Sequence, residues 1–408
     1  MSVQKQGLGK IYWLSWIVYT CAYLGRYNFS AAVAGIVADG LFTKSEMGLV
    51  GTVFFFVYGS GQLVNGFLGD RFSPFKMIFA GSFVSALANF AMSFVTTLPA
   101  MIVVWGINGF AQSMLWSPII YLVSNVFTGE KLKKAQANLP ATLPVGSLMA
   151  YLLSMVLMKY SSWKFIFIAA SIMLLASSLI WGSFSLSIGK EGRNINSVRQ
   201  TRDSAKKAPL SKVLIASGVL MMFLPVMLHA MLKDGVMTWV PTMVSELFAV
   251  SPSFSVMLSL VLPVVNFFGA RIASAMYSSG KFSEMKIACL FFAFTALPLI
   301  GLVFISRLNA VVSVVMLALI TSSMVAINHI FLTLVPVSFA SHGRSATMAG
   351  LLDAVAYAGS AVSSYGFGAI ADSIGWNKTI VIWLVIVCVA LAFCAVIVRR
   401  WERFKKAN

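Results

Sequence analysis

The chain is short of charge, and shortest of acid. Asp and Glu number 12 among 408 residues, and charged residues of either sign make up 10% of it, where soluble domains carry about 25%. So little polar surface excludes a large water-soluble protein. Histidine is scarcer still: there are three, with no H-x-x-x-H spacing, which excludes the common helical zinc site. The four cysteines, Cys21, Cys289, Cys388 and Cys394, lie singly in apolar blocks. They read as small buried hydrophobes, with neither metal spacing nor paired loop positions. No G-x-x-x-x-G-K-[ST] loop is present, so ATP does not drive this chain directly. With no soluble catalytic domain and no metal or cofactor expected, the chain does not read as an enzyme.

What it has is hydrocarbon. Hydrophobic residues are 59% of the sequence and the mean hydropathy is +0.88. They come in blocks of roughly 20 or more, the length that crosses a bilayer as a helix. In lipid the backbone must satisfy its own hydrogen bonds, which leaves helices or closed barrels. The blocks are continuously apolar, not alternating, so helices are expected. Spans fall near 11–38, 46–69, 76–96, 98–127, 134–159, 163–187, 212–246, 252–278, 283–306, 308–340, 343–371 and 376–399. The first follows Lys5 and Lys10 and has no clear cleavage site, so it reads as a span and not a signal peptide. Residues 188–211 carry Lys190, Arg193, Arg199, Arg202, Lys206 and Lys207 and cannot span. The expected organisation is an all-α membrane protein of twelve transmembrane helices: a six-helix bundle over 1–187, a cytoplasmic linker over 188–211 and a second bundle over 212–408.

The net charge of +18 does not point to nucleic acid, because the basic residues lie in short loops and at the two ends instead of on one soluble face. They are unevenly shared. Of 30 Lys and Arg, 22 fall on the side of the two termini and the central loop, 5 on the other, and Arg26, Lys233 and Arg271 within spans. Basic loops stay in the cytoplasm. Both termini are therefore expected there, in a cell inner membrane, with the lipid bilayer as the one extended partner and a monomer as the working unit.

The halves repeat. Asp70-Arg71-Phe72-Ser73-Pro74-Phe75-Lys76 and Gly280-Lys281-Phe282-Ser283-Glu284-Met285-Lys286 stand 210 residues apart, as do Lys134 and Arg344. Two matches at one offset and at equivalent topological positions indicate duplication. Carriers are often built from such repeats, with the substrate site at the midplane.

Charges inside spans mark that site. Arg26 lies roughly 20 Å along the first span at about 1.5 Å per residue, near the midplane, where an arginine costs at least about 2.5–3.5 kcal/mol. Asp39, at the outer end, is too far to neutralise it. Lys233 lies similarly deep in the seventh span. Two cations at equivalent places in two halves would attract an anion, and a guanidinium holds two oxygens of one at once. Lys233 also has Asp234 beside it, but neighbours on a helix point about 100° apart, which makes a direct pair awkward. Asp353 in span eleven is expected to pair with Lys233 or Arg271, or to carry a coupling proton. Arg271 reads as a snorkelling or gate-pairing residue. Asn28, Tyr58, Gln62, Asn108, Gln112, Tyr121, Asn138, Asn266, Asn328 and Tyr357 are candidates either for a polar lining or for bonds between helices. His229 and His329 have the same two readings.

Two resemblances sharpen this. Gly66-Phe67-Leu68-Gly69-Asp70-Arg71 resembles the G-x-x-x-D-R signature between helices two and three of the major facilitator superfamily, which implies a gating role for Asp70, Arg71 and the repeat residue Lys281. Tyr23-x-x-Arg26-x-Asn28-x-Ser30 looks like the first-helix motif of its organophosphate:phosphate antiporter family. Lys233-x-Gly235-x-x-x-Trp239-x-Pro241-Thr242 resembles that family's seventh helix, and Ser345 to Gly350, Tyr357 to Gly359 and Ala371 to Trp376 resemble its eleventh helix and the loop after it. The resemblance implies exchange of inorganic phosphate for a phosphorylated solute such as glycerol 3-phosphate or a hexose phosphate, by alternating access. With the polar residues already named, the substrate contacts expected are Arg26, Lys233, Asn28, Tyr23, Gln62, Asn266, His329 and Tyr357. The chain departs from the pattern where the second binding arginine is Lys233, a lysine is Gln62, a histidine is Leu143 and an acid is Val265, beside Asn266. A proton- or sodium-coupled symporter of a carboxylate or phosphonate, and a sugar-phosphate membrane sensor, stand as alternatives.

Overall fold

The computed structural model describes residues 2–68, 72–127, 129–197, 214, 217–305, 309–339, 342 and 344–407, and among them there is no strand. The helices are α1 (Ser2–Ala38), α2 (Lys44–Leu68), α3 (Pro74–Met92), α4 (Leu98–Ser113), α5 (Trp116–Val126), α6 (Gly129–Asn138), α7 (Thr142–Tyr160), α8 (Trp163–Ser197), α9 (Val219–Phe248), α10 (Pro252–Ser259), α11 (Val261–Ser278), α12 (Glu284–Ile305), α13 (Ala310–His329), α14 (Ser345–Ile374) and α15 (Trp376–Ala407).

Among the described residues ten stretches are long and apolar enough to cross a membrane. Two further helices, α1 and α14, have the length at 37 and 30 residues. They are more polar, and they carry Arg26 and Asp353. Several expected spans are broken. The span at 98–127 is α4 and α5 joined by a turn at Met114–Leu115. The span at 134–159 starts within α6, which bears Lys131, Lys133 and Lys134, and crosses a 3-10 turn at Leu139–Ala141 that contains Pro140. Pro263, near the start of α11, accompanies the break after α10. α13 passes into a π turn, Ile330–Leu334, just after His329 and just before Pro336, whose missing N–H and ring disturb the preceding turn. α8 runs on to Ser197, past the expected end at 187. Residues 198–211 of the expected linker lie outside the described residues.

The chain forms two compact units, Met1–Gly35 with Val53–Ser204 and Ile36–Thr52 with Ala205–Asn408. In the first, Tyr12, Tyr19, Ile78, Leu115, Ile119, Leu122 and Trp181 belong to one apolar core, and the Trp181 indole donates to the Phe75 carbonyl at 3.0 Å. In the second, α9 and α14 pack closely. A Cβ at Gly359 would stand 2.3 Å from the Met227 carbonyl oxygen, and one at Gly235 2.5 Å from the Phe367 ring. Only glycine permits that approach.

The second unit also includes the beginning of α2. Lys44 Nζ lies 3.0 Å from Glu246 Oε1 and 3.2 Å from Asp372 Oδ1. The Trp376 indole donates to Glu246 Oε2 at 2.7 Å, and Thr52 Oγ1 donates to the Ala361 carbonyl at 2.6 Å. α2 thus begins in one unit and ends in the other.

Candidate functional site

In the first unit Arg26 sits half-buried among aromatic rings. Its guanidinium carbon lies 4.3 Å from the Tyr58 ring centroid, 5.2 Å from Tyr23 and 5.3 Å from Phe54. Rings of this kind attract a cation without cancelling its charge. Arg26 Nε donates to Gln112 Oε1 at 3.1 Å, which fixes the plane of the guanidinium.

Gln112 is itself held. Its Nε2 donates to the carbonyls of Ala22 at 3.0 Å and Gly25 at 3.3 Å. The Gly25 carbonyl also accepts from Asn108 Nδ2 at 3.1 Å and Asn89 Nδ2 at 3.3 Å. Ser85 Oγ donates to Asn108 Oδ1 at 2.6 Å, and Asn28 Nδ2 donates to Asn89 Oδ1 at 2.8 Å. These residues come from α1, α3 and α4, and Asn28, Ser85, Asn89, Asn108 and Gln112 are all buried. Gly25 makes the meeting possible, since a Cβ there would lie 2.5 Å from Leu174 and 3.1 Å from Asn89 Nδ2. Buried amides must be bonded or they cost stability, and here they are spent on placing one cation. Asn28 joins this network through Asn89. Asn89 and Ser85 were not singled out in the sequence, because a buried amide beside an apolar run looks the same whether it lines a cavity or joins two helices.

In the second unit Lys233 Nζ pairs with Asp234 Oδ1 at 3.1 Å, with side chains 11% and 6% exposed. This corrects the expectation that adjacent positions would not pair: the four-carbon stem of lysine is flexible enough to turn the ammonium back onto its neighbour. Asp353 is half-buried on α14, seven residues before Ser360 and so on the same stripe of that helix. Ser360 Oγ donates to Asp234 Oδ2 at 2.5 Å. One turn before Lys233, buried His229 meets Asn328 Oδ1 through Nε2 at 3.3 Å.

Other expected contacts also bond to neighbouring helices. Asn266 is buried; its Oδ1 accepts from Thr321 Oγ1 at 2.8 Å and its Nδ2 faces Met237 Sδ at 3.8 Å. His329 Nε2 meets Ser274 Oγ at 2.8 Å. Both tie α11 to its neighbours. Tyr23 is half-buried, with its hydroxyl 3.4 Å from that of Tyr19, and Gln62 and Tyr357 are half-buried. Arg271 is exposed, its guanidinium 4.5 Å over the Phe267 ring. Lys281 is exposed just before α12. Asp70 and Arg71 lie outside the described residues. No group of three or more His, Cys, Asp or Glu that could hold a metal ion occurs among the described residues.

Long apolar helices that keep ionised side chains inside them define a multi-pass membrane transport protein. The chain belongs to the Major Facilitator Superfamily, which it matches over residues 15–344. Over 155 residues it is 23% identical to a probable hexose phosphate transport protein of Chlamydia trachomatis, covering 38% of this chain and 34% of that one. The chain therefore spans about a third of the length of that relative. It is 26% identical over 257 residues to a glycerol-3-phosphate transporter of Bacillus subtilis, covering 59% of this chain and 58% of that one. It is 34% identical over 97 residues to the membrane sensor protein UhpC of Escherichia coli, covering 24% and 22%. Among solved structures, an inward-facing bacterial homolog of the human lysosomal transporter Spinster superposes with a TM-score of 0.77 at 12% identity, covering 98% of both chains. The xylose transporter XylE of Escherichia coli superposes with a TM-score of 0.71 at 12% identity, covering 94% of this chain and 97% of that one. These two likenesses concern the fold.

Proposed function

We propose that this protein is a secondary carrier of an organic anion, taking a phosphorylated solute in exchange for inorganic phosphate by alternating access. The observation that carries the reading is Arg26, a guanidinium kept deep in a span by Gln112 and three aromatic rings. Such a group is costly in lipid and is retained where it meets a charged cargo. Relatives with hexose phosphate and glycerol 3-phosphate in their names support the choice of anion. In this reading Arg26 and Lys233 are the substrate cations, and Tyr23, Asn28, Gln62, Asn266, His329 and Tyr357 are further substrate contacts. Asp70, Arg71 and Lys281 serve the gate on the side of the termini. The 22-to-5 distribution of basic residues supports termini and the segment 188–211 in the cytoplasm, with bundles over 1–187 and 212–408 acting in a monomer.

The test is counterflow in proteoliposomes loaded with phosphate, against a panel of phosphate esters and carboxylates. Exchange that requires internal phosphate supports antiport; uptake indifferent to it rejects antiport. Arg26→Ala should abolish uptake while the protein is still made and folded, and Arg26→Lys should keep part of it. Undiminished transport by the Ala variant would remove Arg26 from the site.

A further inference from the structure

The four cysteines stand apart in the sequence, but the fold brings two of them together inside the second unit. Cys394 on α15 is buried, and its thiol donates to the carbonyl of Met285 on α12 at 3.7 Å, across 109 residues of chain. In a helix that carbonyl also accepts the amide four residues on, which here is the amide of Cys289. Helical side chains lean back toward the preceding turn, so the Cys289 side chain stands at the level of Cys394. The two thiols are hydrogen-bonded to one another, and both cysteines are free. Two ion pairs fix the register of these helices, Lys405 Nζ with Glu284 Oε1 at 2.7 Å and Lys286 Nζ with Glu402 Oε1 at 2.8 Å. Cys388 lies roughly 9 Å along α15 from Cys394 at about 1.5 Å per residue, too far for one atom to join them.

Access to the pair is through hydrocarbon. α12 and α15 are both membrane-length, and Cys289 is half-buried. Leu290 and Phe294 near it are exposed, as are Phe393 and Val396 near Cys394, and exposed apolar side chains on a spanning helix face lipid. Such a face admits a neutral lipophilic reagent and excludes a charged one. We propose that Cys289 and Cys394 form one dithiol site for a neutral, lipid-soluble thiophilic electrophile of the trivalent organoarsenic class. Thiols are soft ligands and suit a soft acceptor. In the step, an arsenic bearing one organic group and two hydroxyls meets the two thiols. Two As–S bonds form, two As–O and two S–H bonds break, and the thiol protons leave with the hydroxyls as two waters. Arsenic stays trivalent and no electrons are transferred. The half-buried Cys289 bonds first; the bond to Cys394 is then intramolecular, and closing it is what sets the pair above a single thiol. The inference does not depend on the cargo or on Arg26.

The test treats the purified full-length protein with phenylarsine oxide, washes it with excess mercaptoethanol and weighs it intact by mass spectrometry. The native protein is expected to keep one phenylarsenic group per chain against this monothiol and to lose it to dithiothreitol, itself a dithiol. Cys289→Ser and Cys394→Ser should each weaken that retention about a hundredfold or more, read as the mercaptoethanol concentration that strips half of the arsenic. The double variant Cys21→Ser with Cys388→Ser keeps only the pair and should behave as the native protein does. Gel filtration verifies that each variant is folded; should Cys394→Ser fail to fold, Cys289→Ser and Cys289→Ala at the half-buried position decide the matter. Absence of a mercaptoethanol-resistant group on the native protein, its persistence in a folded single variant, or its loss from the folded double variant overturns the proposal.

Discussion

The carboxylate of Asp372 accepts from both the amide and the hydroxyl of Ser45, at 2.7 and 2.6 Å, across 327 residues of chain. Ser45 is the second residue of α2, so Asp372 places a negative charge at the positive end of that helix. Lys44 supplies a cation from the same turn. Burial works against ionising Asp372, but the Ser45 hydroxyl, the Ser45 amide and Lys44 outweigh it and hold the carboxyl below its ordinary value of 3.8.

A depressed carboxyl stabilises the fold above its unfolded pKa, and that contribution is lost as pH falls through the folded one. Asp372→Asn should therefore lower Tm by on the order of 2 °C at every pH from 5 to 8. The gap between native and variant should close below about pH 4. Thermal unfolding across that range checks it; a gap that widens in acid would contradict the assigned sign.

Gln112→Leu keeps the size of the side chain but removes the acceptor for Arg26 Nε. An orienting bond to a charged group is worth about 1.5–3 kcal/mol, so the apparent KM for the transported anion should rise about tenfold or more, with expression maintained. Gln112→Glu should be worse, because its carboxylate would neutralise Arg26. Uptake kinetics on the two variants, with gel filtration to verify folding, decide this.

The packing of α9 on α14 predicts an asymmetry between two glycines of one helix. A Cβ at Gly359 meets a backbone oxygen at 2.3 Å, while at Gly350 nothing lies within 4 Å. Gly359→Ala should destabilise by about 1–3 kcal/mol and weaken anion binding, since it moves Ser360 away from Asp234. Gly350→Ala should leave Tm unchanged or raised. Equal melting curves for the two variants would rule out the close contact.

The end of α15 is fastened to the start of α12. The Glu284 side chain, 0% exposed, accepts from Lys405 Nζ at 2.7 Å, from the Trp401 indole at 3.0 Å and from Ser338 Oγ at 3.2 Å. Lys286 and Glu402 pair nearby at 2.8 Å. Glu284→Ala leaves these donors without their acceptor, so trypsin should cut at Arg399, Arg400 or Arg403 faster than in the native protein, and Trp401 emission should shift to the red. Unchanged cleavage would mean that other contacts hold this helix.

Much of this was legible in the sequence, for reasons of length and hydropathy. Uniform apolar blocks gave twelve expected spans, of which ten are membrane-length and apolar among the described residues, and the family was read from short motifs such as Gly66–Arg71; neither signal needs tertiary context. The helices hardest to justify on apolarity, α1 and α14, are those that carry Arg26, Asp353 and Ser360, because each charged or polar side chain replaces hydrocarbon in the span. Arg26 stood out since a lone arginine in such a block has no ordinary explanation. Gln112 appeared only as one of several polar candidates, because its bond to Arg26 joins positions 86 residues apart. The Lys233–Asp234 pair was misjudged because helical geometry fixes where Cβ points and not where a long, flexible side chain ends. Asn266 and His329 were read as candidate substrate contacts from their place in apolar spans, and their hydrogen-bond partners Thr321 and Ser274 are visible only once helices are packed.

The carbonyl of Gly25 answers to amides from three other side chains, and that has a mechanical result. Sliding or turning α1 against α3 and α4 would take that shared oxygen from Asn89, Asn108 and Gln112 at once, leaving Asn89 the Ser85 carbonyl and Gln112 the Asn108 side chain as acceptors. The shared bonds couple these helices, so a shift of one is felt by all three and by the guanidinium that Gln112 holds.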